Sequence, residues 1–98
     1  MIRCFRDSGT EGIFKRLESK EARRVLPVNL HRIAKRKLEM IHFAVTINDL
    51  RNPPGNHLEK LVGNLRDWWS IRINDQWRVV FKWANDAAEG VYIVDYHG

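Results

Sequence analysis

The spacing of apolar residues changes once along this chain, and that change limits the folds that it can adopt. Before the turn cluster NPPGN at residues 52–56, apolar residues recur every three or four positions, whereas after it they alternate with polar ones. Glycine and paired prolines interrupt regular structure, so the cluster separates helices from strands. Helices followed by a meander of strands predict an α+β domain in which the helices cover one face of an antiparallel sheet.

Two helices are predicted before the turn cluster. Ser8 and Glu11 have the spacing of a capping box, and the apolar residues behind them extend a helix over about residues 8–20. Pro27 then interrupts the chain, and Asn29 can cap a second, amphipathic helix of about four turns. The apolar face of that helix consists of Leu30, Ile33, Ala34, Leu38, Ile41 and Val45.

The remaining apolar segments predict a sheet. Its strands cover residues 1–5, 68–73, 77–83 and 91–96. Asn74-Asp75-Gln76 can form a tight hairpin, because Asn and Asp tolerate the left-handed backbone conformation, and residues 85–90 form a longer loop.

The hairpin places two arginines opposite each other. If Ile73 pairs with Trp77, then Arg72 faces Arg78 on the side away from the helices. Lys82 lies further along the same face, and Ser70 lies between it and the arginine pair. Like charges in cross-strand positions repel, so we expect either an anion beside them or an exposed pair that splays into water. The anion is a local carboxylate (candidates are Asp67, Glu59 and Asp95) or a ligand phosphate, which guanidinium groups bind in bidentate geometry.

The charge of the chain is concentrated in its first half. Of 98 residues, 17 are Lys or Arg and 12 are Asp or Glu, and residues 1–50 contain eleven of these bases and six of these acids. The basic stretch consists of Lys15, Arg16, Lys20, Arg23, Arg24, Arg32, Lys35, Arg36 and Lys37. This asymmetry favours a polyanionic partner, either nucleic acid or an acidic protein. The alternative is a solvated surface that keeps the protein soluble.

Several classes of protein are excluded by composition. A hydrophobic content of 44% is incompatible with a disordered tail, and no apolar run is long enough for a membrane span or a signal peptide. Cys4 is the single cysteine and therefore forms no internal disulfide. The chain has no zinc-ligand spacing, P-loop or nucleophile elbow. We expect one domain, residues 1–98, in the cytoplasm, with no metal and no cofactor.

The chain ends in Asp95-Tyr96-His97-Gly98, which contains candidate chemistry. An imidazole transfers protons near neutral pH, and a neighbouring arginine–phosphate site would give His97 a substrate. Tyr96 could stack on a base or donate a proton. The alternative is that a histidine this close to the end of the chain is frayed and solvated.

These residues together resemble a known family. The segments LRNPPGNHLEKLVGN, WSIRINDQWRVVFKW and IVDYH, preceded by a short strand and two helices, are similar to the HigB-type toxins of the RelE superfamily. The similarity covers most of the chain and is densest over residues 49–97. It implies the RelE-like microbial RNase fold and a metal-independent, ribosome-dependent mRNA endonuclease. In such an enzyme a ribose 2′-OH attacks the adjacent phosphate.

The resemblance also assigns roles to residues. Arg78 would stabilise the transition-state charge, His97 would transfer protons, Tyr96 would hold or stack the nucleotide and Asp95 would orient its neighbour. Arg72, from the hairpin register, together with Lys60 and Lys82 would contact RNA phosphates. The implied partners are a HigA-type helix-turn-helix antitoxin, mRNA in the ribosomal A site, and operator DNA only through the antitoxin, with no membrane.

One segment departs from the family pattern. Better-known members carry a histidine and a lysine in LHPLKG, where this chain has Glu59 and Val62. Lys60 or His57 could substitute for them. The departure supports an alternative function, a non-catalytic module that binds RNA or an acidic partner on a RelE-like scaffold.

Overall fold

The computed structural model describes residues 1–63 and 67–96. The helices are α1 (Ser8–Phe14), α2 (Lys20–Val25) and α3 (His31–Phe43), and short 3₁₀ turns cover Val28–Leu30, Ile47–Arg51 and Pro54–Asn56. The strands are β1 (Glu59–Lys60), β2 (Trp68–Arg72), β3 (Trp77–Ala84) and β4 (Ala87–Asp95). None of the helices in these two ranges is long and apolar enough to cross a bilayer.

The described strands form an antiparallel sheet in the order β1-β2-β3-β4. The predicted register of the β2–β3 hairpin is confirmed, because Ile71 pairs with Val79 and Arg72 pairs with Arg78. The helices cover one face of this sheet, where Ile71, Val79 and Phe81 join Leu38 in the buried core. The opposite face carries the two arginines, as expected.

The predicted loop at residues 85–90 is wrong, since β4 already begins at Ala87. Asn85 and Asp86 have φ angles of 53° and 58°, so this pair alone forms the turn between β3 and β4. A two-residue turn with both residues left-handed matches the twist of the strands that it joins. The register of β3 and β4 shifts between Val80 and Lys82, and this irregularity interrupts the alternation that identifies a strand in sequence.

The N-terminal segment is extended, but it does not form the continuous strand predicted for residues 1–5. Ile2 and Phe5 make isolated parallel bridges with Ala88 and Val91 of β4. The Arg3 amide donates to the carbonyl of Ala88 at 2.8 Å. The segment therefore borders the sheet at β4 through separate contacts.

The helix predicted over residues 8–20 ends at Phe14, and a separate helix, α2, begins at Lys20. The N-cap of α1 is Asp7 rather than Ser8, because the Asp7 carboxylate accepts from the Thr10 amide at 2.6 Å. The helix ends in a Schellman motif in which Arg16 is left-handed, with φ of 59°, and the Leu17 amide bonds the Gly12 carbonyl. Glycine is the usual residue at that position, so an arginine there gives no stop signal in sequence.

The second predicted helix is α3, and its start and its apolar face differ in detail from the prediction. Asn29 does not cap it, because Val28–Leu30 form a 3₁₀ turn and α3 begins after that turn without a side-chain cap. Leu38 and Ile41 are buried as predicted, whereas Ile33 and Val45 are exposed. Val45 lies beyond the end of the helix at Phe43, so it cannot continue the apolar face.

Candidate active site

Arg78 is the centre of a hydrogen-bonded network on the face of the sheet away from the helices. It is only 7% exposed. Its Nε donates to Ser70 Oγ at 2.8 Å, and its NH2 donates to the Ser70 carbonyl at 3.2 Å and to the His57 carbonyl. Because Ser70 of β2 and His57 of the loop before β1 both contribute acceptors, the guanidinium is held between two segments.

Two further groups lie against the Arg78 guanidinium. Glu59 Oε1 is 3.9 Å from NH1, and the Tyr96 ring centre is 5.6 Å from Cζ. Burial lowers the pKa of the Arg78 guanidinium, and the positive charge of Arg72 lowers it further. Glu59 and Tyr96 act in the opposite direction and raise the pKa of Arg78. A guanidinium nevertheless stays protonated at physiological pH, so the site keeps a fixed positive charge in a partly desolvated position.

Arg72 is half-buried, and its side chain pairs with Asp75 in the hairpin turn. The sequence predicted an anion beside the arginine pair, either a local carboxylate or a ligand phosphate, and the structure provides two carboxylates. Glu59, one of the predicted candidates, lies beside Arg78, whereas Asp75 was not among the candidates. The alternative prediction, that both arginines splay into water, is wrong because Arg78 is buried.

Two of the three predicted C-terminal residues, Tyr96 and Asp95, lie within the described part of the chain. Tyr96 is 46% exposed, with its ring over Arg78 and its amide donating to the Gln76 carbonyl at 2.7 Å. Asp95 accepts from Gln76 Nε2 at 3.0 Å and is the cross-strand partner of Trp77, one position out of phase with Arg78. His97 lies outside the described residues.

The two predicted phosphate-binding lysines lie apart from the Arg78 network. Lys60 pairs with Trp69, and its ammonium is 5.7 Å from the centre of the Trp69 ring. Lys82 pairs with Trp68 on the same face as Arg78, about 13 Å along the strand at about 3.3 Å per residue. The Lys60 ammonium lies against Trp69, and Lys60 also contributes to the lining of the groove described below.

Lys37 and Asn56 form a contact next to the network, since Asn56 directly precedes His57, although the sequence did not single them out. Lys37 Nζ donates to Asn56 Oδ1 at 2.6 Å, and Asn56 is completely buried. Burial, followed by the charge of Arg72, lowers the pKa of Lys37. In sequence Lys37 is one of nine residues in a basic stretch, and only the folding of residues 52–56 against α3 distinguishes it.

Beside Arg78 lies an open groove of about 510 Å³, a volume within the range of small-ligand sites. Its lining includes Glu59, Tyr96 and Val94. The groove thus contains a carboxylate and a phenol that both contact the Arg78 guanidinium, and these groups suit the binding of a phosphate and the transfer of a proton. Within residues 1–63 and 67–96, no three His, Cys, Asp or Glu side chains are grouped as a metal site.

A second groove, of about 780 Å³, lies on the helical side of the molecule. We call it the helical groove. It is lined by Gly12, Ile13, Arg16, Leu17, Glu18, Ser19, Arg23, Val28, His31, Arg32, Lys35, Arg36 and Glu39. Five of these side chains are basic and two are acidic, while Leu17 and Val28 expose apolar surface. The helical groove is therefore both positively charged and partly apolar.

The sequence of this chain is similar to those of known proteins over most of its length. A family model described as the RelE-like toxin of the type II toxin–antitoxin system HigB matches residues 3–97. Toxin HigB-1 of Vibrio cholerae serotype O1 is 38% identical over 89 residues, which cover 91% of this chain and 90% of that protein. An uncharacterized protein of Haemophilus influenzae is 43% identical over 68 residues, covering 69% of this chain and 67% of that protein.

The fold is also similar to that of a solved structure. A chain of the YoeB–YefM complex from Staphylococcus aureus superimposes with a TM-score of 0.60 at 17% identity, over 100% of this chain and 99% of that chain. At this identity the similarity concerns the fold alone. The predicted α+β, RelE-like architecture is thereby confirmed.

Proposed function

Because this chain belongs to the RelE-like HigB toxins of type II toxin–antitoxin systems, we propose that it acts by cleaving mRNA on the ribosome. The observation that carries the proposal is the buried Arg78 guanidinium, which Ser70 and the His57 carbonyl hold behind two groove residues, Glu59 and Tyr96. Preorganised donors of this kind stabilise the charge that develops on a phosphate in the transition state.

The proposed reaction is intramolecular phosphoryl transfer within the RNA. The ribose 2′-oxygen bonds to the adjacent phosphorus, the bond from phosphorus to the 5′-oxygen of the next nucleotide breaks, and the products carry a 2′,3′-cyclic phosphate and a 5′-OH. One group must take the 2′ proton and another must protonate the leaving oxygen. The chemistry needs no cofactor and no metal, because proton transfer and a fixed cation supply what the reaction requires.

The site residues divide this work. Arg78 would stabilise the extra charge on the phosphate, and Arg72 and Lys82 would bind phosphates on the same face. Tyr96 would hold or stack the nucleotide, Asp95 would orient the C-terminal residues, and His97 would transfer a proton. Lys60 would contact RNA only if its ammonium moved away from Trp69.

Glu59 is a candidate general base that the geometry adds to these groups. It stands where better-known members have a histidine, and its carboxylate lies 3.9 Å from Arg78 NH1 on the edge of the groove. We expect Glu59→Gln to lower the cleavage rate by about 10²–10⁴-fold, because the amide cannot accept the 2′ proton. The matched control is Asp86→Asn, which removes a carboxylate from a distant exposed turn. Equal cleavage by Glu59→Gln and the wild type would exclude Glu59 as the base.

Mapping of transcripts in cells tests the function as a whole. The protein is induced in its host, and the 5′ ends of abundant messages are located by primer extension. We expect discrete new 5′ ends inside translated regions. We expect none in a message whose own start codon has been removed, because that message is no longer translated. If growth stops without new ends, the protein is a binding module on a RelE-like scaffold, which is the alternative function.

We further propose that a helix-turn-helix antitoxin of the HigA type silences the toxin through an acidic segment bound in the helical groove. The five basic side chains of the groove complement such a segment, and Leu17 and Val28 offer it apolar contacts. Operator DNA would then be bound only through the antitoxin. The reading frame of the antitoxin is expected beside that of the toxin.

Charge reversal tests this contact. We expect the double variant Arg32→Glu, Arg36→Glu to remain toxic but to escape neutralisation by the co-expressed neighbouring antitoxin, because both exposed side chains line the helical groove. Truncating one partner of an interfacial charge pair costs about 2–5 kcal/mol, and reversal adds repulsion. Arg51→Glu, an exposed arginine outside the groove, is the control. Full neutralisation of the double variant would place the antitoxin elsewhere.

A further inference from the structure

We propose that Lys37 is a positioning residue that holds Arg78 in its reactive orientation, acting through Asn56 and the His57 carbonyl. The inference rests on the proposed function, since it assumes that Arg78 stabilises the scissile phosphate. It gives a specific role to a lysine on α3, an element that contributes no other contact to the Arg78 network described above.

The connection consists of consecutive polar contacts. Lys37 Nζ donates to Asn56 Oδ1 at 2.6 Å. The Asn56 amide nitrogen donates to the carbonyls of Leu50 and Asn52 at 3.2 and 3.3 Å. Asn56 therefore holds together the whole turn from residue 50 onward, and Lys37 fixes Asn56 from the helix.

The turn ends next to the residue whose carbonyl binds Arg78. His57 follows Asn56 directly, with a left-handed φ of 43°, and its carbonyl accepts from Arg78 NH2. A left-handed residue costs free energy unless its neighbours fix it, so the direction of this carbonyl depends on the turn. A shift of Asn56 would therefore move the acceptor that orients Arg78.

Burial explains why the lysine contact matters. Asn56 has no exposed surface, so its side-chain oxygen loses access to water as well as its partner if Lys37 is removed. An unpaired buried acceptor destabilises the fold, and the turn can relieve that cost by rearranging. The rearrangement would reach the Arg78 network, because Asn56 and His57 are adjacent in the chain.

The charge of Lys37 also belongs to the site. Its ammonium is close enough to Arg72 for the two charges to interact, and Arg72 is the cross-strand partner of Arg78. Three cations thus lie in one region of the fold beside only two paired carboxylates, Asp75 and Glu59, so a net positive charge and some repulsion remain. An RNA phosphate arriving at Arg78 would relieve this repulsion, as expected of a phosphate site.

The test compares Lys37→Met, Lys37→Arg and Arg51→Gln in cleavage of mRNA on purified programmed ribosomes. Methionine keeps the length of the side chain but cannot donate, so kcat should fall by about tenfold or more with KM nearly unchanged. Arginine donates and keeps the charge, so Lys37→Arg should recover most of the activity. Arg51→Gln removes an exposed charge from the same turn region and should match the wild type.

Coupling to Arg78 distinguishes positioning from a general structural effect. If Lys37 acts through Arg78, adding Lys37→Met to Arg78→Lys should lower kcat little beyond Arg78→Lys alone, because the group being positioned is already gone. Multiplicative losses in the double variant would overturn the inference. Equal kcat for Lys37→Met and the wild type would also overturn it.

A second readout is independent of cleavage. The ¹⁵N NMR signal of Arg78 Nε–H reports its bond to Ser70, and it should shift or broaden in Lys37→Met and return in Lys37→Arg. An unchanged signal in a folded Lys37→Met variant contradicts the positioning role. If the wild type itself leaves the mRNA on programmed ribosomes uncleaved, the proposed function fails. The NMR signal of Arg78 alone then decides whether Lys37 positions Arg78.

Discussion

Arg78→Lys is expected to lower the rate of mRNA cleavage by about 10²–10³-fold, the usual effect of removing one charge-stabilising donor. Lysine keeps the positive charge, but it lacks the planar fork that lets Arg78 bond Ser70 and the His57 carbonyl at once. The loss therefore measures the oriented guanidinium rather than the net charge. Growth inhibition after induction and cleavage on programmed ribosomes should fall together.

The effect of Arg78 variants must be separated from unfolding. Arg78→Ala would leave the buried Ser70 hydroxyl without its partner, at a cost of about 1–3 kcal/mol of stability. Arg78→Lys fills more of the same space and is the better variant for kinetics. Thermal unfolding of both variants should show a cooperative transition below that of the wild type. Full toxicity of a folded Arg78→Lys protein would remove Arg78 from the mechanism.

His97→Gln is expected to have the second large effect, a loss of about 10²–10⁴-fold in cleavage rate. Glutamine can hydrogen-bond, but it cannot exchange a proton near neutral pH as imidazole does. The chain reaches residue 97 directly after Tyr96, whose ring lies over Arg78. His97 is therefore adjacent in sequence to a residue that contacts Arg78.

The pH dependence gives His97 a specific signature. Wild-type cleavage should change between about pH 5 and 8 as the imidazole titrates, and this limb should be absent from the residual activity of His97→Gln. His31→Gln is a matched control, since the His31 ring bonds the Leu26 carbonyl on the helical side. An unchanged rate and pH profile in His97→Gln would mean that another group transfers the proton.

The sheet was predictable from the sequence where apolar and polar residues alternate on both sides of a turn-forming segment. Alternation and a turn-forming segment between Ile73 and Trp77 fixed the register that pairs Arg72 with Arg78. The 3.6-residue period of α3 was equally informative, since Leu38 and Ile41 are buried. Regular periodicity over several residues leaves few alternative arrangements of the chain.

The predicted ends of helices and strands were wrong where the sequence carried no signal for them. Arg16 occupies the left-handed end of α1, where glycine is usual, so the break between α1 and α2 had no sequence signal. Asn85 and Asp86 form the entire turn before β4, but the residues that follow do not alternate and were assigned to a loop. These errors concern local boundaries and leave the arrangement of the sheet unchanged.

The candidate site was predictable only in part, because its residues meet through tertiary contacts. The register predicted that Arg72 and Arg78 lie opposite each other, and the family resemblance singled out Arg78 and Tyr96. The contact between Lys37 and Asn56 spans 19 residues and joins a helix to a turn, so no local pattern predicts it. Contacts of this kind depend on how the turn folds back on α3.

The chemistry of the RNA ends produced by the purified protein tests the central proposal most directly. Ribosomes programmed with a defined message are incubated with the wild type or with Arg78→Lys, and both new ends are identified. Our account predicts a 2′,3′-cyclic phosphate upstream and a 5′-OH downstream for the wild type, and at least about a hundredfold slower appearance of the same ends for Arg78→Lys. Intact message with the wild type, or cleavage unaffected by Arg78→Lys, would contradict it.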